Sequence, residues 1–156
     1  MKFRVASLVI ILGATFHMHV ARAADSVNVE ADQMEVIDAE HRTIFKGNVV
    51  AVRPKDSIKS DVMIVTSSDE TQADGTVKSV TNLLDATGNV VITTKTQTIT
   101  GSAAKFYIQK DKLEVTGNVV LVQGTSTIKG SRLNVDLKTN RLQMTGGRVS
   151  SSFVPK

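Results

Sequence analysis

An all-β fold of repeated, bent strands is predicted by three features of this sequence. Val, Ile and Thr dominate, and they alternate with polar residues at period two, as in Leu113/Val115/Val119/Leu121 and Leu133/Val135/Leu137. A Gly-Asn pair recurs inside β-branched runs: "FKGNVVAV" at 45–52, "ATGNVVIT" at 86–93 and "VTGNVVLV" at 115–122, with a worn copy, "MTGGRVSS", at 144–151. Polar turn clusters cut the chain into segments of about ten residues.

The first residues are read apart from the fold. Lys2 and Arg4 precede an apolar run from Val5 to Leu12, and Ala21-Arg22-Ala23 follows. This is the pattern of a Sec signal peptide over residues 1–23, with cleavage expected after Ala23. The run is too short to span a bilayer. Residues 24–156 then form one domain in the periplasm, without a second long apolar segment. The leader holds three of the 19 basic residues and none of the 15 acids, so the formal charge of +4 falls to about +1. No basic field remains to attract nucleic acid. The four remaining aromatics, Phe45, Phe106, Tyr107 and Phe153, provide no base-stacking platform. There is no cysteine, so stability rests on burial and backbone pairing.

The turns are predicted at "DAEHR" (38–42), "RPKDS" (53–57), "TTKTQ" (93–97), "QKDK" (109–112), "QGTS" (123–126) and "KTN" (138–140). Between them a small residue sits near the middle of each segment. The ladder runs Ala31, Gly47, Ser60, Gly88, Gly101, Gly117, Gly130, Gly146. Its spacings are 16, 13, 28, 13, 16, 13 and 16, so two strands make a 29-residue unit. The 28 is 16 plus a 12-residue insertion, expected as an exposed loop at "SSDETQADGTVK" (67–78). Gly-Asn is therefore not a hairpin turn. It is placed in mid-strand, where Gly marks a bend, a bulge or a close backbone approach. Eight strands bent at their centres would form two facing sheets with a slot between them. Short turns make consecutive strands antiparallel neighbours, and a stack of this kind has two open ends.

Catalytic chemistry is hard to build from these residues. After the leader only His41 remains, in a turn, and no soft-ligand zinc site can be assembled without Cys. Asp111 and Glu114 lie in or beside a turn, and Asp32 and Asp61 follow ladder positions, where a role in the bend is expected. There is no nucleophile elbow, phosphate loop or calcium loop. No enzyme activity, metal or cofactor is predicted. What remains is apolar surface with one direction. Aligned on the ladder, one face carries Phe45, Val49 and Ala51; Ala86, Val90 and Ile92; and Leu113, Val115, Val119 and Leu121. The alternate half-unit adds Met34 and Val36; Ala104, Phe106 and Ile108; and Leu133, Val135 and Leu137. An ordinary sandwich core and a lipid-filled slot would use the same residues.

The leader, "VNVEADQMEV", "TIFKGNVVAV", the run "ITGSAAKFYIQKDKLEVTGNVVLVQGTSTIKGSRLNVDLKTNRLQMTGG" and the closing "RVSSSFVP" together resemble the LptA/OstA family of periplasmic lipopolysaccharide-export proteins. The resemblance covers essentially the whole mature chain. It implies a V-shaped, twisted antiparallel β-jellyroll open at both ends. It implies binding of lipopolysaccharide through the acyl chains of lipid A in an apolar interior, and end-to-end homo-oligomers. Implied partners are an LptC-like inner-membrane protein and the amino-terminal domain of an LptD-like outer-membrane protein. Inward positions of the family's lipid groove match Val27, Val29, Ile92, Phe106 and Ile108 by strand and parity. With the inward residues above other than Ala51, Ala86 and Ala104, these form the candidate lipid-binding set. The chain departs from the family pattern around 67–86 and lacks a long charged carboxyl-terminal tail. A rival reading is a periplasmic β module that binds only protein through its edge strands. A polysaccharide-modifying enzyme is disfavoured by the scattered charges.

Overall fold

The computed structural model describes residues 27–154. The leader and the cleavage position after Ala23 lie outside those residues. Ten strands alternate with short turns: β1 (Asn28–Glu30), β2 (Gln33–Ile37), β3 (Arg42–Val52), β4 (Asp56–Thr71), β5 (Val77–Thr94), β6 (Gln97–Tyr107), β7 (Lys112–Gln123), β8 (Ser126–Asp136), β9 (Arg141–Thr145) and β10 (Ser150–Ser152). They form one antiparallel sheet in the order β1-β3-β4-β5-β6-β7-β8-β10, with β2 also on β3 and β9 also on β8. β1 and β2 are two halves of one bent strand broken at Ala31-Asp32. β9 and β10 are likewise broken at Gly146-Gly147. The expected eight bent strands are present, and the expected turns fall between them.

Each Gly-Asn pair is a bulge in mid-strand. On β7 and β8 the pairing Thr116↔Arg132 is followed by Val119↔Gly130, so Gly117 and Asn118 face Ser131 alone. Gly47-Asn48 faces Asp61 in the same way, and Gly88-Asn89 faces Ser102. Both residues of every pair are left-handed: φ is +83° at Gly117 and +48° at Asn118. Gly enters that region without steric cost and Asn tolerates it better than most residues. A Cβ at Gly117 would also lie 2.6 Å from the Cβ of Ser102 on the strand before it. That neighbouring strand clamps the bulge. The Nδ2 groups of Asn48 and Asn89 donate to the Oδ2 atoms of Asp32 and Asp61, each at 2.8 Å. The Ser102 hydroxyl donates to the Gly117 carbonyl at 3.3 Å. Asp32 and Asp61 thus serve the bend, as expected.

The bulges also set which side chains face inward. A strand with the two-residue bulge keeps its parity through the bend, so Leu113, Val115, Val119 and Leu121 share one face of β7. Its partner contributes one residue and changes parity, so on β8 Ile128 is followed by Leu133 and Val135. The row of bends divides the sheet into two leaves. The first contains β2, β9 and the halves of β3 to β8 on their side of the bend; the second contains β1, β10 and the other halves.

The expected loop at 67–78 is not a loop. β4 and β5 continue as a hairpin, pairing Ser67–Thr71 with Val77–Thr81. The chain reverses within residues 72–76, where the Gln72 N–H donates to the Thr76 carbonyl at 2.7 Å. At the tip the Thr76 hydroxyl and N–H donate to the Asp74 carboxylate at 2.6 and 2.9 Å, and these bonds hold that carboxyl below its usual pKa. The segment has Thr, Ser and Val at strand positions and needs only Ala73-Asp74-Gly75 to turn. Its polarity has another cause: β3 pairing stops at Thr66 and β6 pairing at Leu83, and beyond them residues 69–79 are exposed.

Ser60 takes the ladder position that Gly101 and Gly130 hold in β6 and β8, and it is buried with no hydrogen-bond partner for its hydroxyl. Replacing it with Ala should raise stability by about 1 kcal/mol, because a buried unpaired hydroxyl is removed. Gly117→Ala should instead cost roughly 1–3 kcal/mol, for a non-glycine residue in a left-handed conformation. Urea unfolding of the two variants checks both signs, and a stabilised Gly117→Ala would contradict the bulge account.

Candidate functional site: the slot between the leaves

The two leaves face each other across an apolar interior. Nearest the bend, Val49, Val90, Val115 and Val119 are at most 1 % exposed. These candidate residues form the sealed apex of the V. Further out, Ile92, Phe106, Leu113, Leu121, Leu133 and Val135 are also buried. Val29, Phe45 and Ile108 are half-buried and pack against this core. A small cavity of about 70 Å³ separates the leaves toward the mouth. Ile58, Ile92 and Ile99 line it from one leaf, and Phe106, Leu113, Val135 and Leu137 from the other.

Four candidates are not enclosed. Val27 and Leu137 are 36 % and 40 % exposed, Val36 is 55 % exposed and Met34 is 65 % exposed. Their parity is inward, but among the described residues they are left partly or largely open to solvent. Among the described residues β1 and β2 end the stack and have a neighbour on one side only, while Leu137 begins the turn after β8. Conversely, Ile58, Met63, Leu84 and Ile99 belong to the core and were missed in the sequence. The signal existed. Two places before the ladder residue gives Ile58 and Ile99, and three places after it gives Met63, as it gives Leu133. Ser60 in place of Gly obscured the β4 copy.

The mouth carries a polar clasp that the sequence showed only as a turn. The Arg53 guanidinium donates to the Asp56 carboxylate through Nε at 2.7 Å and through an Nη at 2.5 Å. The Arg53 N–H closes the turn on the Asp56 carbonyl at 2.8 Å. The guanidinium also lies 4.7 Å from the centroid of the Phe106 ring, so a turn of one leaf touches a side chain of the other. Arg53 and Asp56 both line the cavity, and Arg53 is the one cation among its lining residues. Outside, the leaf is dressed with exposed or half-exposed ion pairs: Lys105–Asp85 at 3.6 Å, Arg132–Glu114 at 3.1 Å and Lys46–Glu35 at 3.6 Å. Among the described residues no three His, Asp or Glu gather as a metal site. The arrangement can hold hydrocarbon inside and water outside.

Residues 28–141 match the family described as LptA/(LptD N-terminal domain) LPS transport protein. The chain belongs to that family. Its role is therefore in lipopolysaccharide transport, and the LptA/LptD N-terminal domain family is non-enzymatic. The fold also resembles a solved structure, LptH of Pseudomonas aeruginosa, described as the LptA-homologous periplasmic component of the conserved lipopolysaccharide transport device. The TM-score is 0.72 at 11 % identity, over 84 % of this chain and 96 % of that one. At that identity the likeness establishes the fold, an LptA-like antiparallel β-jellyroll whose sheet does not close. No curated protein matches the chain by sequence.

The clasp and the core of this LptA-family chain should separate by mutation. Arg53→Ala removes a part-exposed ion pair and a cation–π contact, and should cost only about 1 kcal/mol. It should nonetheless increase fluorescence of an apolar dye added to the folded protein, because the mouth loses its bridge. Phe106→Ala should cost roughly 3–5 kcal/mol. Equal stability losses in the two variants would remove the distinction between clasp and core.

Proposed function

We propose that the chain is a periplasmic carrier that shields the acyl chains of lipid A between its leaves while lipopolysaccharide moves from the inner to the outer membrane. The observation that carries this is the continuous apolar interior between two leaves joined along one bulged row, in a stack that does not close. Burial of hydrocarbon contributes about 0.8 kcal/mol per CH₂, so a chain of a dozen carbons gains roughly 10 kcal/mol before ordering costs. The sugars stay outside the slot. Ligand pockets usually measure about 300–1,000 Å³, and the cavity here is far smaller at about 70 Å³. Loading therefore requires the leaves to part, with the Arg53–Asp56 clasp and Phe106 giving way at the mouth while the apex valines stay packed. The lipid-contacting residues are then those toward the mouth, Ile92, Phe106, Ile108, Leu113, Val135 and Leu137, with Val27, Val29, Met34 and Val36 taking over where the stack ends.

Photo-crosslinking in cells tests this reading. A photo-reactive phenylalanine analogue at Phe106, Ile108 or Leu137 should give a lipopolysaccharide adduct, and one at the outward, exposed Lys59 should not. Adducts from none of the three inward sites, in a folded protein, would favour a module that binds protein only.

The reading extends to assembly. Among the described residues the end strands β1, β2, β9 and β10 pair on one side only, and such edges pair with other chains unless blocked. Copies would stack end to end, with an LptC-like protein at one end and the amino-terminal domain of an LptD-like protein at the other. Residues 1–23 act as the export leader. Sedimentation of the exported protein, its mass beginning at Ala24, should show concentration-dependent oligomers. Deletion of 141–156 should leave a folded monomer, and a full-length chain that stays monomeric at high concentration would exclude this mode.

A further inference from the structure

Outside the slot, the first leaf carries a second and larger concavity, about 430 Å³, over β6 to β9 and the turn at 108–110. Its volume falls within the usual range for a ligand site, roughly 300–1,000 Å³. Its lining is ordered by strand register. One cross-strand row reads Tyr107, Lys112, Asp136, Arg141, and the next reads Glu114, Asn134, Gln143. Neighbouring strands lie about 4.8 Å apart, so donors and acceptors alternate at that interval on a rigid backbone. Among the described residues Lys112 and Arg141 form no ion pair. Lys110 lies 5.8 Å from the centroid of the Tyr107 ring, bracing one side of it.

We infer that this outer cleft is a saccharide subsite, which takes the hydroxylated sugar of the same lipid whose acyl chains enter the slot. The inference rests on the carrier reading. Sugar hydroxyls donate and accept at once, which suits alternating cations, carboxylates and amides. A polyanion suits them less, because Asp136 and Glu114 stand among the cations. Asp136 is held in its ionised form by the backbone N–H of Thr139 and by its neighbours. The N–H groups of Lys138 and Thr139 both donate to its Oδ1, at 3.0 Å each. Position argues the same way. Leu113 and Val135 line both the cleft and the slot cavity, so β7 and β8 are the wall between them. At the rim of that wall two turns are tied together, the Leu137 N–H donating to the Asp111 carbonyl at 2.9 Å. Leu137 lines the slot on one side of this rim and Lys110 lines the cleft on the other. An amphiphile bent over the rim would place hydrocarbon inside and sugar outside.

Two probes separate the parts: deacylated lipopolysaccharide for the cleft and a photo-reactive fatty acid for the slot. Titration of the ¹⁵N-labelled protein with the deacylated probe should shift backbone amides within 107–114 and 134–143. The double variant Asn134→Ala/Gln143→Ala should weaken that binding by roughly tenfold or more and leave fatty-acid labelling unchanged. Both residues sit on the outer face, and circular dichroism checks that the variant is folded. No shifts in the wild type, or shifts that the double variant does not weaken, would overturn the subsite. Displacement of the probe by millimolar inorganic phosphate would also overturn it, by making the cleft an anion site. Failure of the fatty acid to label the wild type would instead overturn the carrier reading, whatever the cleft does.

Discussion

Two consecutive left-handed residues set against a single residue of the next strand are the constraint on which this molecule depends. A sheet of β-branched residues resists a sharp fold, since its strands are stiff and its ladder continuous. The Gly-Asn insertion breaks the ladder at one point per strand without adding a loop. Repeated at the same height in β3, β5 and β7, and echoed by the breaks at Ala31-Asp32 and Gly146-Gly147, it becomes a line across the whole sheet. Asp32, Asp61 and Ser102 hold that line from the neighbouring strand. The two leaves, their facing apolar surfaces and the open stack all follow from it.

The same line explains why the packing differs between the apex and the mouth. The apex valines beside the bulges are sealed, and the backbone there is pinned by cross-strand hydrogen bonds. Away from the apex a small cavity separates the leaves, lined by isoleucines and Phe106, with an arginine from one turn resting on that ring. Stability is concentrated where the leaves meet, and adaptability where they part. A catalytic site needs fixed polar groups aimed at a reacting atom. This chain instead places charged groups outside and an apolar core inside, with the bulged row between the two leaves.

Edges and arms follow a different logic. Among the described residues the strands at both ends of the sheet pair on one side only. The long β4–β5 hairpin projects past its neighbours, and its outer part is exposed and mostly polar.

The sequence by itself determined the strand repeat, the bend positions, the turns and the parity of the inward residues. These are local properties: φ preference at Gly and Asn, period-two alternation, and turn chemistry. It also determined the family, through the recurrence of whole segments around Gly47, Gly88 and Gly117. It misjudged 67–78, where polarity was taken for a loop. A strand solvated on both faces looks like one in composition, and only the pairing of Ser67–Thr71 with Val77–Thr81 distinguishes them. Parity gave the face of each residue but not its depth, so Val49 and Met34 stood equal in the sequence. One is sealed at the apex and the other lies on an end strand, because depth depends on how many strands stack above a residue. The clasp of Arg53 over Phe106 was invisible for a related reason. Those side chains are 53 positions apart, and only the closing of one leaf upon the other brings them within 4.7 Å.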